Sequence, residues 1–207
     1  MGATGTIGGA VATALEAAGH EVVRVGASSG EHTVDLADKA SIEALYEVVG
    51  PVDAVACAAG IACFGPLEEL DDEAFDTSLA NKLMGQVNLV RAGVGRVRAG
   101  GSFTLTSGTL SERPTPGSSA VAMAGAGVEA FARAAALDLD GYRINVVSPG
   151  WVAESRVKAG LDPMPGIWAA DLARYYVRCV DGEANGRTFE AERPLTRTLP
   201  AQPPGGR

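Results

Sequence analysis

Aromatic residues, cysteines and long hydrophobic runs are scarce in this sequence. Aromatic side chains make up 5% of its 207 residues, whereas apolar side chains make up 46%, so small aliphatic side chains must form most of the core. No run of about 18 apolar residues occurs, and no charged segment precedes an apolar one near the start. The sequence therefore predicts neither a membrane span nor a signal peptide, and we expect a cytoplasmic protein.

The few cysteines argue against a metal centre or a covalent framework. Cys57, Cys63 and Cys179 are irregularly spaced, which fits neither a zinc site nor a set of disulfides. We predict no metal site. Cys57 lies within an apolar run and is predicted to be buried packing rather than a reactive thiol.

Clusters of basic residues are also missing. The chain has 25 acidic and 17 basic residues and a formal charge of −8. Binding to nucleic acid depends on clustered Lys and Arg, and such clusters are absent outside a short Arg-containing tail. We therefore predict that nucleic acid is not a partner.

Glycine, in contrast, is concentrated at the start of the chain. Gly2-Ala3-Thr4-Gly5-Thr6-Ile7-Gly8 follows Met1 directly, and a helix is predicted from Ile7 to Ala18. Glycines let a strand-to-helix turn bend tightly and approach a pyrophosphate, whose charge lies at the helix N-terminus. The apolar strand that normally leads into such a turn is not in the sequence, so we expect the first strand of the sheet to be absent.

Apolar strands alternate with helices along the chain, which indicates a parallel sheet covered by helices on both faces. The predicted strands are His20–Val25, His32–Leu36, Val52–Ala58, Ser102–Thr106, Arg143–Ser148 and, at the edge, Gly186–Glu190. The further predicted helices are Ser41–Val49, Asp72–Arg98, Ser119–Leu139 and Ala170–Val180. Residues 1–191 thus predict a single α/β domain, and the Pro-, Arg- and Gly-rich segment 192–207 predicts a disordered tail.

Six short motifs follow one another in a characteristic order. They are Gly2-x-x-Gly5-x-x-Gly8, Asp35-Leu36, Cys57-Ala58-Ala59-Gly60, Thr106-Ser107-Gly108, Arg143-Ile144-Asn145-Val146-Val147 and Ser148-Pro149-Gly150. Together they resemble the short-chain dehydrogenase/reductase family over roughly residues 2–191. The resemblance implies a Rossmann-like, doubly wound parallel sheet and NADP or NAD as cofactor. It also implies hydride transfer between the nicotinamide and a small carbonyl or alcohol substrate.

The resemblance implies a set of cofactor-binding residues. They are Gly2, Thr4, Gly5, Thr6, Ile7, Gly8, Ser28, Ser29, Asp35, Leu36, Ala58, Ala59, Gly60, Pro149, Gly150 and Val152. Asp35 is expected at the adenine edge, the segment 58–60 at the adenosine ribose, and Val152 at the nicotinamide carboxamide. Structural alternatives stay open, because Asp35 also fits a strand-end turn and small residues at 58–60 also fit tight sheet packing.

The sequence favours NADP over NAD. In NAD-specific members an acid at the end of the second family strand binds the ribose 2′-hydroxyl, but this segment contains no acid before Glu31. Ser28 and Ser29 can donate to a 2′-phosphate instead, with Arg24 as a nearby cation.

The residues at the positions of the family's catalytic side chains depart from the family pattern. The resemblance implies a Tyr and, four residues later, a Lys that together handle the hydroxyl proton. Alignment places them at Val121 and Gly125, which carry no titratable group, and no Tyr-x-x-x-Lys occurs anywhere in the sequence. Ser107 lies at the position of the family Ser that polarises the substrate oxygen. Lys82 lies at the position of an Asn that holds a relay water.

We predict Ser107 and Lys82 as the catalytic residues. Burial lowers a lysine pKa, so an inward Lys82 can donate a proton or anchor a carboxylate. The alternatives are structural, since Ser107 also fits a strand-end cap, and Lys82 also fits a solvated helix face or a pair with an acidic neighbour. The segment 151–168 occupies the family's substrate-lid position.

Three functions remain open from the sequence. The first is an NAD(P)-dependent oxidoreductase with an eroded catalytic site. The second is a non-catalytic NADP(H)-binding sensor or partner subunit, and the third is a nonfunctional fragment, because the first strand is missing. Small residues in the helix 119–139 allow a homodimer or homotetramer through close helix packing, with packing onto the sheet as the alternative.

Overall fold

A computed structural model describes residues 1–193. The rest of the predicted tail, residues 194–207, lies outside the described residues. The strands are β1 (Val25–Gly26), β2 (His32–Thr33), β3 (Val52–Ala56), β4 (Val97–Thr106), β5 (Arg143–Pro149) and β6 (Thr188–Ala191). The helices are α1 (Thr6–Ala17), α2 (Lys39–Val49), α3 (Asp72–Ser78), α4 (Gly85–Gly93), α5 (Ser119–Asp138), α6 (Ala153–Lys158) and α7 (Ala169–Asp181). A π-helical turn (Leu79–Met84) joins α3 to α4, and a 3₁₀ turn (Thr109–Ser111) precedes α5.

All strand pairs are parallel, in two groups. β1 pairs with β2, and β3, β4, β5 and β6 pair in that order. Phe103 of β4 aligns with Val55 of β3 on one side and with Ile144 of β5 on the other. Helices α2, α4 and α5 pack on one face and α1 and α7 on the opposite face. This arrangement confirms the prediction of a parallel α/β sheet covered on both sides.

The first three residues lie between the two groups of strands. The Met1 amine donates to the Ala56 carbonyl at 2.7 Å, and the Ala58 amide donates to the Met1 carbonyl at 3.1 Å. On the other side, the Ala3 amide donates to the Val25 carbonyl at 2.9 Å. Residues 1–3 therefore bridge the segments around β3 and β1 through backbone hydrogen bonds.

Two strands are shorter than predicted. The prediction of a strand over 20–25 was wrong for residues 20–24, because along them no strand of residues 1–193 supplies a ladder partner. The strand predicted over 32–36 is likewise reduced to its first two residues. A strand needs a neighbour to satisfy its backbone, and β2 can pair only where β1 is itself extended beside it.

The core is built from aliphatic side chains, as the composition indicates. One cluster contains Ile42, Leu89 and Phe103, and the other contains Leu172 and Tyr176. Cys57 is fully buried in the core, forms no disulfide, and donates a hydrogen bond from its thiol to the Ala59 carbonyl at 3.7 Å. The predicted burial of Cys57 is confirmed.

The predicted helix 72–98 is interrupted and ends early. It contains the π-helical turn and stops at Gly93, where an added Cβ would lie 2.5 Å from the Tyr46 hydroxyl. Strand β4 then starts at Val97, five residues before its predicted start. Gly100 and Gly101 lie inside β4, at a register irregularity opposite residues 52–54, as expected for a β-bulge.

Helix α5 is a core helix, although its length and composition alone would suit a membrane span. Ala120, Ala124, Val128 and Ala132 recur every four residues on one face, and all four are buried. This face packs on β5 and β4. Close packing of small residues on the sheet is the structural alternative named above, and an oligomer through α5 stays a prediction.

Candidate nucleotide and catalytic site

The glycine turn is tightly folded against itself. Gly2 has φ +75°, and the Gly5 amide donates to the Gly2 carbonyl at 2.9 Å. An added Cβ on Gly8 would lie 1.9 Å from the Gly2 oxygen, which no side chain can occupy. Helix α1 begins directly after Gly5 without a side-chain cap. Its first amides are therefore directed out of the helix end and available to an anion.

The end of β1 packs against this turn. A Cβ on Gly26 would lie 2.6 Å from the Thr4 hydroxyl and 2.3 Å from the Ser29 carbonyl. The predicted phosphate-binding residues Ser28 and Ser29 are exposed in the loop that follows. The Arg24 guanidinium donates two hydrogen bonds to the Glu16 carboxylate of α1, at 3.0 and 2.8 Å. The suggestion that Arg24 supports a 2′-phosphate stays a prediction.

The segment 58–60 connects the turn to the catalytic candidates. A Cβ on Gly2 would lie 2.9 Å from the Ala58 carbonyl, and Gly60, at φ +137°, lies against the Cα of Lys82. The small residues at these positions are thus required by close packing on both sides. This is the packing interpretation named for them above, and it is compatible with a nearby ribose.

Asp35 and Leu36 have clear local roles. The Asp35 carboxylate accepts the Ala37 amide at 2.8 Å, which forms an Asx turn after β2. Leu36 is buried, and a Cβ added to Gly85 would lie 2.8 Å from the Leu36 carbonyl oxygen. The adenine contact of Asp35 stays a prediction.

Ser107 lies at the carboxyl end of β4 and faces a buried carboxylate. Its amide donates to the Val147 carbonyl, and its hydroxyl donates to Glu129 Oε1 at 2.6 Å. Ser111 donates to the same oxygen at 2.8 Å. Ser107 and Glu129 are each only 4% exposed. The sequence analysis missed Glu129, although it lies four residues after Gly125, on the same helix face.

The positions that align with the family Tyr and Lys remain empty of polar groups. The Cβ that Gly125 lacks would lie 3.5 Å from the Ser111 Cβ and 3.9 Å from the Ser107 Cβ. A side chain at 125 would therefore begin beside Ser107. Val121 lies one helical turn earlier and is half-buried.

Lys82 points into the protein from the π-helical turn. Its ammonium lies 3.4 Å from the Thr106 carbonyl, one residue before Ser107. Burial lowers the pKa of Lys82, and burial raises the pKa of the nearby Cys57 thiol. No carboxylate of residues 1–193 forms a salt bridge with Lys82. The inward orientation is the one that the catalytic prediction requires, and the catalytic role stays a prediction.

Thr106 holds this end of β4 in place. Gln86 donates to the Thr106 carbonyl at 2.9 Å and accepts its amide at 2.8 Å. The Thr106 hydroxyl contacts the Cys57 carbonyl and, at 2.7 Å, the Tyr176 hydroxyl. Burial raises the pKa of Tyr176, so this phenol stays neutral and structural. The backbone that carries Ser107 is thereby fixed from both faces of the sheet.

The end of β5 and the lid segment complete the site. Pro149 is the last residue of β5, and its carbonyl lies 3.7 Å from the position of a Cβ on Gly108. Gly150 packs against the Glu192 side chain, while Val152 is buried and its carbonyl accepts the Arg156 amide. The segment 151–168 contains the short helix α6, which the sequence analysis did not predict.

Helix α6 contacts the glycine turn. The Lys158 ammonium donates to the Thr6 hydroxyl at 2.8 Å, across 152 positions of sequence. Thr6 is the first residue of α1, so a positive charge lies beside the helix end that attracts anions. The sequence analysis missed this residue, because nothing local to Lys158 indicates its partner.

Comparison with known proteins identifies the family. The family model described as enoyl-(acyl carrier protein) reductase matches residues 2–180. The protein lin1944 from Listeria innocua has a solved structure with 41% identity and a TM-score of 0.87, over 91% of this chain and 96% of that one. A short chain dehydrogenase from Burkholderia cenocepacia J2315 in complex with NADP shares 23% identity, over 92% of this chain and 94% of that one, with a TM-score of 0.81. A small-chain dehydrogenase in complex with NADPH shares 24% identity over 92% and 94%, with a TM-score of 0.76.

Among curated proteins, the short-chain dehydrogenase/reductase malC of Malbranchea aurantiaca is 49% identical over 51 residues. That match spans 25% of this chain and 19% of the relative. The chain belongs to the short-chain dehydrogenase/reductase family. The family consists of NAD(P)-using oxidoreductases with a Rossmann-like fold, as the sequence analysis predicted.

Proposed function

We propose that this chain binds NADP(H) and acts as an oxidoreductase on a small carbonyl or alcohol with an altered proton-transfer site. The observation that carries the proposal is the uncapped N-terminus of α1, reached through a glycine turn and flanked by Lys158. The B. cenocepacia relative and the small-chain dehydrogenase, which were solved with NADP and NADPH, support the choice of cofactor.

The residues present fit a dinucleotide. Gly8 and Gly2 leave no space for a Cβ, so bare backbone faces the position of the pyrophosphate. Lys158 adds a cation at the same point. Ser28 and Ser29 are the exposed donors available to a 2′-phosphate, and the segment 58–60 supplies a small-residue wall. We place the nicotinamide end near Pro149, Gly150 and Val152.

The bound cofactor supplies or accepts the hydride. The chain itself must then move one proton at the substrate oxygen. The Ser107 proton is donated to Glu129, so the Ser107 oxygen is an acceptor for a substrate hydroxyl. In alcohol oxidation the substrate O–H bond breaks, Ser107 takes that proton, and its own proton passes to Glu129. Carbonyl reduction reverses these two transfers, and Lys82 is the second group at this strand end that can hold a proton.

A second candidate function is NADP(H) binding without turnover. The observation that favours it is the absence of any titratable group at Val121 and Gly125. The residues assigned to cofactor binding differ from those assigned to proton transfer, so the chain can bind a dinucleotide without catalysing a reaction. A sensor or a supporting subunit needs only the residues assigned to cofactor binding.

The binding claim is tested by thermal unfolding with NADPH, NADH and no ligand. A ligand at a hundredfold excess over its Kd stabilises by about 2.7 kcal/mol, which raises the Tm of a domain of this size by about 5–10 °C. We expect a larger shift with NADPH than with NADH. No shift with either cofactor would contradict both candidate functions.

Turnover is tested by NADPH oxidation across a panel of small aldehydes, ketones and enones. We expect the variants Ser107→Ala and Lys82→Ala to lose activity and to keep the NADPH-dependent Tm shift. Lys39→Ala is a matched control, since Lys39 is an exposed lysine paired with Glu43 on α2. Activity that survives Ser107→Ala and Lys82→Ala together would contradict the proton path. Binding without turnover on the whole panel would favour the sensor function.

A further inference from the structure

The carboxylate of Glu129 is buried beside Ser107 without a cation. Its Oε1 accepts two hydroxyls, from Ser107 at 2.6 Å and from Ser111 at 2.8 Å. Its Oε2 accepts no hydrogen bond within residues 1–193, and this atom is not sealed from solvent. A carboxylate that has lost most of its water normally has a positive partner or donors on both oxygens. One of the two oxygens of Glu129 therefore lacks a partner.

No basic side chain of residues 1–193 supplies the missing positive charge. Arg133 lies one turn after Glu129 on α5 and is exposed. Lys82 lies at the same end of β4, but its ammonium contacts the Thr106 carbonyl at 3.4 Å. Neither residue forms a salt bridge with Glu129, and neither does any other basic residue in this part of the chain. A positive charge on Oε2 must then come from a ligand.

The space next to Glu129 is bordered by a residue without a side chain. Helix side chains lean toward the helix N-terminus, and residues four positions apart share a face, so Glu129 leans over Gly125. A Cβ on Gly125 would lie 3.5 Å from the Ser111 Cβ and 3.9 Å from the Ser107 Cβ. A ligand carbon therefore fits there at ordinary contact distance. Val121, half-buried one turn earlier, continues this face with an apolar side chain.

We propose that Glu129 and Gly125 form a subsite for a small primary ammonium, so that the substrate is a vicinal amino alcohol or the matching α-amino carbonyl compound. The ammonium donates to Glu129 Oε2, the adjoining carbon lies over Gly125, and the substrate oxygen faces Ser107. Ser107 and Oε2 lie on either side of Oε1, which places the nitrogen and oxygen of the ligand on neighbouring carbons. This inference rests on the proposed function, because it names the substrate class of that same site.

The ammonium and the proton path use different atoms of Glu129. The Ser107 hydroxyl donates to Oε1, and the ligand nitrogen is assigned to Oε2. Bound ammonium also neutralises a carboxylate that no residue of 1–193 neutralises. A neutral diol of the same shape leaves that charge unpaired, so the subsite discriminates against it.

The first experiment is thermal unfolding of the full chain with three small probes at matched ionic strength, with and without NADPH. The probes are 1-amino-2-propanol, its neutral isostere propane-1,2-diol, and lactate, whose carboxylate would favour Lys82 instead. We expect 1-amino-2-propanol alone to raise the Tm, by about 3–6 °C at tenfold its Kd. An equal or larger shift with the diol or with lactate would overturn the inference, as would no shift with the amino alcohol in either condition.

Two variants and a matched control locate the binding. Glu129→Gln keeps an oxygen but removes the charge, so we expect it to weaken binding of 1-amino-2-propanol by about tenfold or more. Gly125→Ala places a methyl where the ligand carbon lies, so we expect a similar loss of affinity with a Tm at or above that of the parent chain, because Ala favours a helix. Glu112→Gln is the control, since Glu112 is an exposed acid next to Ser111. Affinity in Glu129→Gln equal to that in Glu112→Gln would overturn the inference.

Cofactor binding is measured separately from the ammonium subsite. An NADPH-dependent Tm shift without any response to 1-amino-2-propanol would overturn the subsite and leave the proposed function standing. A response to 1-amino-2-propanol without an NADPH shift would support the subsite and contradict the proposed function. Oxidation with NADP⁺, followed by NADPH absorbance, should be about tenfold or more faster for the amino alcohol than for the diol. Equal rates, or no oxidation of the amino alcohol, would overturn the assignment of the substrate class.

Discussion

The substitution Gly8→Ala tests whether the glycine turn has the geometry that a dinucleotide site needs. The added methyl would lie 1.9 Å from the Gly2 oxygen, 2.4 Å from the Gly2 carbonyl carbon and 3.0 Å from the Ala3 nitrogen. Ordinary contact is about 3.5 Å, so the backbone of residues 2–3 must retreat by more than an ångström. Because those residues bridge β1 and β3, the displacement disturbs both groups of strands.

The next residue provides a matched control. A methyl on Gly9 would lie 3.4 Å from the Ala3 carbonyl, which is ordinary contact. Both glycines lie in α1, so Ala gains the same helix propensity at each position, about 0.5–1 kcal/mol. Forced overpacking costs about 1–3 kcal/mol. The two variants should therefore move stability in opposite directions.

The assay is thermal unfolding followed by NADPH titration. We expect Gly8→Ala to lower the Tm by about 3–10 °C and Gly9→Ala to raise it by about 1–4 °C. We expect NADPH affinity to fall by about tenfold or more in Gly8→Ala, which corresponds to at least about 1.4 kcal/mol, and to stay near the wild-type value in Gly9→Ala. If Gly8→Ala unfolds at or above the temperature of Gly9→Ala, the tight-turn argument is refuted.

Three further predictions concern charges in and near the site. Lys158→Ala should weaken NADPH binding and leave the Tm of the unliganded chain unchanged, because the contact between Lys158 and Thr6 is exposed. Equal NADPH affinity in Lys158→Ala and Lys39→Ala, measured by titration, would contradict a role of Lys158 in cofactor binding. Glu129→Ala should lower the free energy of unfolding by about 1–3 kcal/mol, because it leaves the hydroxyls of Ser107 and Ser111 without an acceptor. Glu129→Gln keeps an acceptor oxygen, so urea unfolding should show a smaller loss of stability. Equal losses in the two variants would count against these hydrogen bonds. The Met1 amine has a lowered pKa when folded and an ordinary pKa of 8.0 when unfolded, so the folded chain binds fewer protons and its stability should rise with pH up to about 8. N-terminal acetylation should stabilise the chain and flatten that rise, and an unchanged slope would show that the amine is not buried.

Local sequence patterns predicted most of the fold that positions the site. The apolar run at 52–58 predicted the strand β3, although only Val55 within β3 is buried, and the Ala- and Gly-rich segment 119–139 predicted the helix α5. The order of the short motifs located the glycine turn and Ser107. These features depend on neighbours in sequence, which is why periodicity and turn chemistry reveal them.

The features that sequence reasoning missed depend on contacts between distant segments. Glu129 becomes a partner of Ser107 only when α5 packs on β4. Arg24 pairs with Glu16 only when the segment after α1 packs beside that helix, and Lys158 reaches Thr6 only after the lid segment folds back over α1. The interruption between α3 and α4 was also missed, because a π-helical turn has no distinctive composition.

The space beside Ser107 has a consequence for engineering. A first side-chain carbon at position 125 meets the nearest neighbour at 3.5 Å, so a larger residue there starts without a clash. Val121 is one turn away on the same helix, at the spacing of a phenol–amine couple. The double replacement Val121→Tyr with Gly125→Lys can therefore be grafted onto this backbone to ask whether the scaffold alone, once given a proton donor, confers rapid turnover.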